Sequence, residues 1–331
     1  MIGHRGEAFE NLYREIHPKL QILFGTKQPV FLSTSSAWGV MEASIRNLVD
    51  RGVLCCMCGA FSDKWLDVAR RCGKSAEPLQ VGWGQHIDPK DVDRALTSGK
   101  FDTVTLIHSE TSTGVMNPLP EICCTLAKYP DVALILDTVS SFSAMKIDMD
   151  ALGIDVMLTG AQKALALTPG FSLFSVSEKG FARAEKQRDR GYYLDFVEFR
   201  KQQEDWFTPT TPSIGHIFAL QSKLEDIFAE GMEARYARHV HTNALVHDWV
   251  QRVGFEFFAE EEFRSKTLTC VANNKNIDVV DFARRLREKH HLVIDAGYGK
   301  LRGKTFRLSN MGDETEETVS HLLAGLDDVL K

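Results

Sequence analysis

The sequence predicts an α/β fold: a large domain with a mostly parallel seven-stranded sheet, followed by a smaller C-terminal α/β domain. Short apolar runs alternate with segments of helical periodicity from residue 29 to residue 176, which is typical of a parallel sheet with helices on both faces. After Gly231 the pattern changes to one long helix followed by shorter strands and helices. With 331 residues, the chain is long enough for both units, which we place at residues 1–230 and 231–331.

The elements of the large domain follow from local signals. A helix with apolar residues at helical spacing is predicted at 9–24 and ends before Gly25. Asp88 and Pro89 are the N-cap and first residue of another helix. The predicted strands are 29–33, 53–57, 76–81, 103–108, 132–136, 154–158 and 171–176. The helices between them are 39–50, 62–72, 88–97 and 119–128.

The smaller domain begins with a long amphipathic helix at 233–253. Runs rich in apolar residues predict three strands of an antiparallel sheet, at 267–272, 292–295 and 305–309. Helical patterns at 278–289 and 313–330 are interleaved with them.

Composition and charge exclude several classes of partner. Lysine and arginine number 39 against 45 aspartates and glutamates, so the net charge is −6 and there is no basic field for nucleic acid. No apolar run reaches transmembrane length, and the first residues lack the apolar core of a signal peptide. We therefore expect a cytoplasmic protein without a membrane partner.

The seven cysteines favour reduced thiols, because their number is odd and nothing suggests secretion. Cys55, Cys56 and Cys58 are close together, but they fall in or beside a predicted buried strand and no paired histidines follow. We interpret them as core residues and expect no metal site.

Lys163 is the residue around which the chemistry is organised. It lies in the largely apolar stretch 156–170, and burying an ammonium group is costly unless it is paired or becomes neutral. A neutral lysine is a nucleophile that can form a Schiff base. The alternative is a structural lysine whose ammonium group reaches solvent from a turn.

Further polar groups are predicted at the carboxyl ends of strands, where α/β sheets bind ligands. Ser36 and its hydroxyl neighbours lead straight into a helix, which suits a phosphate, although they could simply cap that helix. Asp137 ends an apolar strand and needs a cationic partner, unless it caps the following loop. An aspartate that pairs a pyridinium nitrogen and a lysine that carries an aldehyde define a pyridoxal phosphate site.

With these motifs, the chain resembles the class V (fold-type I) aminotransferases, within them the alanine–glyoxylate, serine–glyoxylate and serine–pyruvate aminotransferase branch. The matching pieces span nearly the whole chain in family order. They are Gly3-His-Arg5, Ser36-Ala-Trp-Gly-Val-Met-Glu42, Gly59-Ala-Phe61, His108-Ser-Glu-Thr-Ser-Thr-Gly-Val115, Leu136-Asp-Thr-Val-Ser-Ser141, Gly160-Ala-Gln-Lys-Ala-Leu165, Thr210-Thr-Pro212 and Phe306-Arg307.

The resemblance implies a ping-pong transaminase that uses pyridoxal 5′-phosphate to move an amino group from alanine or serine to glyoxylate or pyruvate. Lys163 would bind the cofactor covalently and later move the proton at the substrate α-carbon. Asp137 would keep the pyridine nitrogen protonated. Arg307 would hold the substrate α-carboxylate with its planar guanidinium group.

Other matched positions imply contacts to the cofactor. Phe61 would stack on its ring, and Ser112 would bond its 3′-oxygen. Phe207 and Thr210 would reach the phosphate of the neighbouring subunit, which implies a homodimer with shared sites. The phosphate would be held in its own subunit by Ser36, the Ala37 and Trp38 amides, and Gln162.

The chain departs from the family pattern at several of these positions. Ser35 and Ala37 stand where glycines are usual, Trp38 stands where a smaller residue or histidine is common, and Phe207 replaces a tyrosine that reaches phosphate. A Gly-Pro-rich segment that usually precedes Gly3 is missing from the sequence. Either the true start lies upstream, or the substrate entrance is unusually open.

Three alternatives remain open, and a fourth, a nucleotide-binding dehydrogenase, is discounted. A cysteine desulfurase or lyase of the same fold would have His before the lysine and a reactive loop cysteine, whereas Gln162 precedes Lys163 and Cys270 lies in a predicted strand. An aminoethylphosphonate–pyruvate transaminase would share the site. The glycine-containing run at 292–303 is similar to a dinucleotide-binding loop, but its spacing is one residue too long and a strand follows. A non-catalytic binding protein would not need Lys163, Asp137 and Arg307 together.

Overall fold

The computed structural model describes residues 2–331. Its main sheet has seven strands, and each predicted strand of this sheet lies within two residues of its observed position. They are β1 (Val30–Ser33), β2 (Val53–Met57), β3 (Ala76–Gln80), β4 (Thr103–Ile107), β7 (Ala133–Asp137), β8 (Val156–Gly160) and β9 (Ser172–Val176). A small hairpin, β5 (Ser109–Glu110) and β6 (Val115–Met116), follows β4.

The strand order in this sheet is β1-β9-β8-β7-β4-β2-β3. Only β9 runs antiparallel to its neighbours, β1 and β8. The prediction of a mostly parallel seven-stranded sheet is therefore confirmed. Because β7 and β8 are parallel neighbours, the residues at their carboxyl ends come close together.

Helices cover both faces of the sheet. In β7 the residues alternate between two apolar clusters: Leu134 and Leu136 pack into one, and Ala133 and Ile135 into the other. The helices before residue 231 are α1 (Glu7–Phe24), α2 (Ala37–Leu48), α3 (Ala60–Arg71), α4 (Pro89–Leu96), α5 (Leu119–Leu126), α6 (Glu178–Ala184), α7 (Phe196–Glu204) and α8 (Ile214–Glu230). As predicted, Asp88 caps α4, and its Oδ1 accepts a hydrogen bond from the Lys90 amide at 2.8 Å.

The C-terminal part begins with α9 (Met232–Val253), which matches the predicted long helix. Its sheet is antiparallel, in the order β10 (Glu256–Phe257), β11 (Leu268–Ala272) and β12 (Thr305–Ser309), and is covered by α9, α10 (Val279–His290) and α11 (Glu316–Leu330). A third apolar cluster centred on Phe306 and Phe282 holds this part together. The placement of a domain boundary near residue 231 stays a prediction.

The predicted strand at 292–295 is wrong. Only Asp295 pairs with the sheet, through a single bridge to Arg307, while Val293 is 76% exposed. The chain turns away after this bridge because Gly297 adopts a positive φ of 88° and the Gly303 amide donates to the Ala296 carbonyl at 2.8 Å. The third strand of the small sheet is β10 instead.

Two other expectations can be compared with the structure. Cys55 and Cys56 lie in β2, Cys58 follows it, and all three are buried as predicted for core residues. Within residues 2–331, no helix is both long enough and apolar enough to cross a membrane.

Arg235, on α9, connects this helix to the loop that carries Lys163. Its guanidinium group is almost fully buried, and it donates from Nε to the Ser143 carbonyl at 3.1 Å and from Nη2 to the Ala164 carbonyl at 3.0 Å. Its Nη1 pairs with Glu230 at 3.1 Å. The backbone next to Lys163 is therefore tied to a second part of the fold.

We predict that Arg235→Ala lowers the free energy of unfolding by about 3–5 kcal/mol, because it removes a buried cation and leaves the Ser143 and Ala164 carbonyls without their donor. Arg252→Ala on the same helix is the control. Arg252 forms an exposed pair with Asp327, whose loss should cost less than about 1 kcal/mol. Urea unfolding measures both, and equal losses for the two variants would contradict the tethering role of Arg235.

Candidate active site

Two adjoining cavities open at the carboxyl ends of the central strands. The inner cavity lies between the start of α2, α3 and the ends of β7 and β8, and the outer cavity extends from it towards β12 and α11. Lys163, Gln162 and Thr111 line both. Seven of the predicted site residues line the inner cavity, namely Ser36, Ala37, Trp38, Phe61, Asp137, Gln162 and Lys163.

Asp137 is the last residue of β7, and its side chain lies at the floor of the inner cavity. It is only 4% exposed, and its Oδ1 accepts a hydrogen bond from the Val139 amide at 2.8 Å. Burial raises its pKa to about 7; the Val139 amide opposes this shift, and the nearby Glu110 carboxylate adds to it. A carboxylate in this position would be stabilised by a cationic hydrogen-bond donor in the cavity.

Lys163 lies in the turn that follows β8 and is half buried. Its Nζ is 5.9 Å from the centre of the Phe61 ring. Burial lowers its pKa, and the positive charge of Arg307 lowers it further, while Asp137 acts in the opposite direction. These shifts increase the fraction of neutral amine, the form that attacks a carbonyl.

The start of α2 provides a site for an anion. Ser36 is the N-cap residue, but its exposed hydroxyl makes no capping hydrogen bond to any of the described residues. The positive end of the helix and the amides of Ala37 and Trp38 therefore remain for a ligand. Ser35, which replaces a glycine of the family pattern, turns its hydroxyl towards Ser33, 2.9 Å away.

Ser112, predicted to bond the 3′-oxygen of the cofactor, lines neither cavity. It is fully buried, and its hydroxyl donates to Glu110 at 2.7 Å and accepts from the Ala60 amide at 2.9 Å. The preceding residue, Thr111, lines both cavities instead. The sequence cluster 108–114 locates this region, but which side chain faces the cavity depends on the β5–β6 hairpin.

Glu110 is a supporting residue that the sequence analysis did not single out. It is fully buried and accepts hydrogen bonds from Ser112 and from the Ser62 amide in the first turn of α3. Gly59 makes this approach possible, because a Cβ at that position would lie 2.5 Å from Cγ of Glu110. The carboxylate therefore fixes the start of α3, which carries Phe61 into the cavity.

Arg307 points from the middle of β12 into the outer cavity. Its side chain is 10% exposed, and Nη1 donates to the Thr111 carbonyl at 2.8 Å. Asp295, which the sequence analysis placed in a strand without a role, pairs with it: Nε lies 2.9 Å from Oδ1 and Nη2 lies 2.7 Å from Oδ2.

Phe207 and Thr210 lie outside both cavities of their own chain. Phe207 stacks against Phe9 with ring centres 6.4 Å apart, and the Thr210 carbonyl accepts a hydrogen bond from the Thr208 hydroxyl at 2.8 Å. Their assignment to the site of a neighbouring subunit stays a prediction.

The raised pKa of Asp137 predicts a pH-dependent stability for the cofactor-free protein. Below the unfolded-state pKa, the preference of the folded protein for the protonated carboxyl contributes fully to the free energy of unfolding. This contribution is lost as the pH rises through the folded-state pKa of about 7. Asp137→Asn removes the titration. We expect its free energy of unfolding relative to the wild type to increase by about 2–3 kcal/mol between about pH 5 and about pH 8. Urea unfolding at both pH values measures this, and a pH-independent difference would contradict it.

Comparison with known proteins shows which family this chain is similar to. The family model described as "Aminotransferase class-V" matches residues 2–320. An uncharacterised aminotransferase of Methanocaldococcus jannaschii is 35% identical, with 100% of this chain and 87% of that protein covered. The serine–glyoxylate aminotransferase of Arabidopsis thaliana is 30% identical over 99% of this chain and 84% of its own length. The crystal structure of alanine–glyoxylate aminotransferase from Nostoc sp. superposes with a TM-score of 0.95 at 29% identity, covering 100% of this chain and 89% of that one.

Proposed function

Because the chain belongs to the class V aminotransferase family and is an enzyme of amino-group transfer between amino acids and 2-oxo acids, we propose that it is a pyridoxal 5′-phosphate-dependent transaminase. The amino donor is a small amino acid, alanine or serine, and the acceptor is glyoxylate or pyruvate. The observation that carries the proposal is that Lys163 and Asp137 share one cavity with the uncapped start of α2.

The inner cavity has the donors and acceptors that this cofactor needs. The start of α2 and Gln162 suit the phosphate, and the Phe61 ring suits stacking on the pyridine. The buried Asp137 suits a protonated ring nitrogen. Thr111, which lines the cavity, replaces Ser112 as the candidate for the hydrogen bond to the 3′-oxygen of the cofactor. The bound cofactor supplies an electron sink for the charge that develops at the substrate α-carbon.

The residues of the chain divide the remaining work. Lys163 would hold the cofactor through its amine, and the same amine, when free, would accept and return the proton at the substrate α-carbon. The lowered pKa of Lys163 favours both roles. Asp137 would keep a proton on the ring nitrogen, and Glu110 holds the helix start that positions Phe61.

The outer cavity supports a small donor. Arg307 is the only arginine among the described residues that line it, and a guanidinium group binds a carboxylate in a bidentate manner. Arg307 can bind the α-carboxylate of the substrate. The described lining has no second arginine that could bind a distal carboxylate.

The cysteine desulfurase alternative is weakened by the surroundings of Cys270. A reactive cysteine needs an exposed thiol with a low pKa. Cys270 lies buried in β11, and burial raises its pKa to about 12. An aminoethylphosphonate–pyruvate transaminase remains the second candidate, because Arg307 suits a phosphonate as well as a carboxylate.

The proposal includes a homodimer in the cytoplasm. Phe207 and Thr210 lie outside the cavities of their own chain, so a second copy is the place where their predicted contact with a cofactor phosphate would be made. Partners are otherwise limited to the small substrates, without nucleic acid, membrane or metal ion.

The experiment is a half-reaction followed by visible absorbance. Adding L-alanine or L-serine to the holoenzyme should convert the cofactor to its aminated form, and glyoxylate or pyruvate should restore the original spectrum. Lys163→Ala should slow this exchange by about 10²–10⁴-fold, because the proton at the α-carbon then has no positioned base. Lys201→Ala, an exposed lysine on α7, is the control and should react at the wild-type rate.

Aminoethylphosphonate and L-cysteine are tested in parallel. If aminoethylphosphonate converts the cofactor and neither L-alanine nor L-serine does, the second candidate function replaces the proposed one. Sulfide release from L-cysteine without a 2-oxo acid would favour the desulfurase alternative. An unchanged rate in Lys163→Ala would refute the assignment of the site.

A further inference from the structure

The side chain of Asp295 contacts one edge of the Arg307 guanidinium group, the group that we assign to the substrate carboxylate. Both of its oxygens are engaged, at 2.9 Å from Nε and 2.7 Å from Nη2 of Arg307. The position of Asp295 is fixed from two sides: its carbonyl accepts from the Arg307 amide at 2.9 Å, and its Oδ1 accepts from the Gly297 amide at 2.8 Å.

Tyr298 fixes the same turn against the inner cavity. Its ring stacks on Phe61 with centres 4.9 Å apart and an interplanar angle of 26°. The turn after residue 294 therefore contacts residues of both cavities, with Asp295 directed towards Arg307 of the outer one and Tyr298 towards Phe61 of the inner one.

The hydrogen bonds of Arg307 leave room for one carboxylate. A guanidinium group has five N–H donors, one on Nε and two on each terminal nitrogen. Asp295 accepts the hydrogen bond of Nε and lies within ion-pair distance of Nη2, and the Thr111 carbonyl accepts one hydrogen bond from Nη1. At least one donor remains on each terminal nitrogen, which is the number that a bidentate carboxylate requires.

The charges around the outer cavity oppose a second carboxylate. Asp295 already compensates the charge of Arg307, and Lys163 is the other lysine or arginine among the described lining residues. Three further carboxylates also line this cavity, but Asp313 is paired with Lys223 and Arg235, and Glu317 is exposed to solvent. A distal carboxylate close to Arg307 would therefore meet chiefly the negative charge of Asp295, and the described lining has no further lysine or arginine to pair with it.

We propose that Asp295 is a specificity-determining residue, which excludes amino donors and 2-oxo acids that carry a second anionic group. This inference rests on the proposed function, because it takes Arg307 to be the group that binds the substrate α-carboxylate. Asp295 acts by charge and by occupying the side of the guanidinium group that a second carboxylate would need.

The first test compares kcat/KM for L-alanine with kcat/KM for L-aspartate. In Asp295→Asn, which keeps the shape and removes the charge, this ratio should fall by at least about tenfold, equivalent to about 1.4 kcal/mol. If the asparagine side chain disturbs the turn, Asp295→Ser is a second variant without the charge, and it should lower the ratio in the same direction. A ratio that stays within twofold of the wild type in correctly folded variants would overturn the proposal.

Glu317→Gln is the matched control. It removes a charge of the same sign from the rim of the outer cavity, on an exposed side chain of α11. The ratio should change by less than about twofold, because charge interactions at an exposed rim are weakened by solvent. An effect as large as that of Asp295→Asn would assign the selectivity to the general field of the cavity and overturn the role of Asp295.

The second test measures binding without turnover and is independent of the transaminase reaction. Propionate and succinate, the analogues of the two donors without the amine, are titrated into the holoenzyme by calorimetry. The wild type should prefer propionate, and Asp295→Asn should shift the preference towards succinate by about tenfold. A succinate preference that is the same in both proteins would overturn the proposal while transaminase activity persists. If the predicted shift in binding is found but the wild type has no transaminase activity, the result counts against the proposed function alone.

Discussion

The site depends on two ionisable side chains, one acidic and one basic, at the ends of two adjacent parallel strands. Asp137 ends β7, and Lys163 follows β8. Their attraction is outweighed by burial, since the pKa of Asp137 is raised and that of Lys163 is lowered. Both groups are thereby shifted towards their neutral forms, so that the aspartic acid can give its proton to a pyridine nitrogen and pair with it, and the lysine can attack a carbonyl. A cofactor that carries both a pyridine nitrogen and a carbonyl would provide a partner for each of the two residues.

The surrounding fold keeps this pair in place by distant contacts. The inner cavity is assembled from segments far apart in the sequence, with Arg235 tying the backbone beside Lys163 and Glu110 holding the start of α3. Because each support is itself buried and hydrogen-bonded, the geometry of the site is coupled to the stability of the fold. In the proposed function, the outer cavity adds selectivity through the turn that begins at Asp295, where the chain bridges to Arg307 of β12.

Local patterns in the sequence were sufficient to place the strands of the main sheet and to bring Lys163, Asp137 and the start of α2 to one cavity, because a parallel sheet brings its strand ends to one edge. Phe61 was found only through the family resemblance. They were not sufficient where a side chain's direction is set by a tight turn. Thr111 rather than Ser112 faces the cavity because of the β5–β6 hairpin. The run containing Asp295 has the composition of a strand, but the turn at Gly297 ends its pairing after one residue.

The assignment of the cofactor to Lys163 can be tested by reducing the holoenzyme with borohydride, followed by proteolysis and mass spectrometry of the peptides. We expect a stable pyridoxyl phosphate adduct on Lys163 in the wild type. The adduct should be lost from this peptide when L-alanine is added before reduction, since the substrate amine displaces the lysine. An adduct on a different lysine, or none at Lys163 in a protein that holds the cofactor, would contradict this assignment.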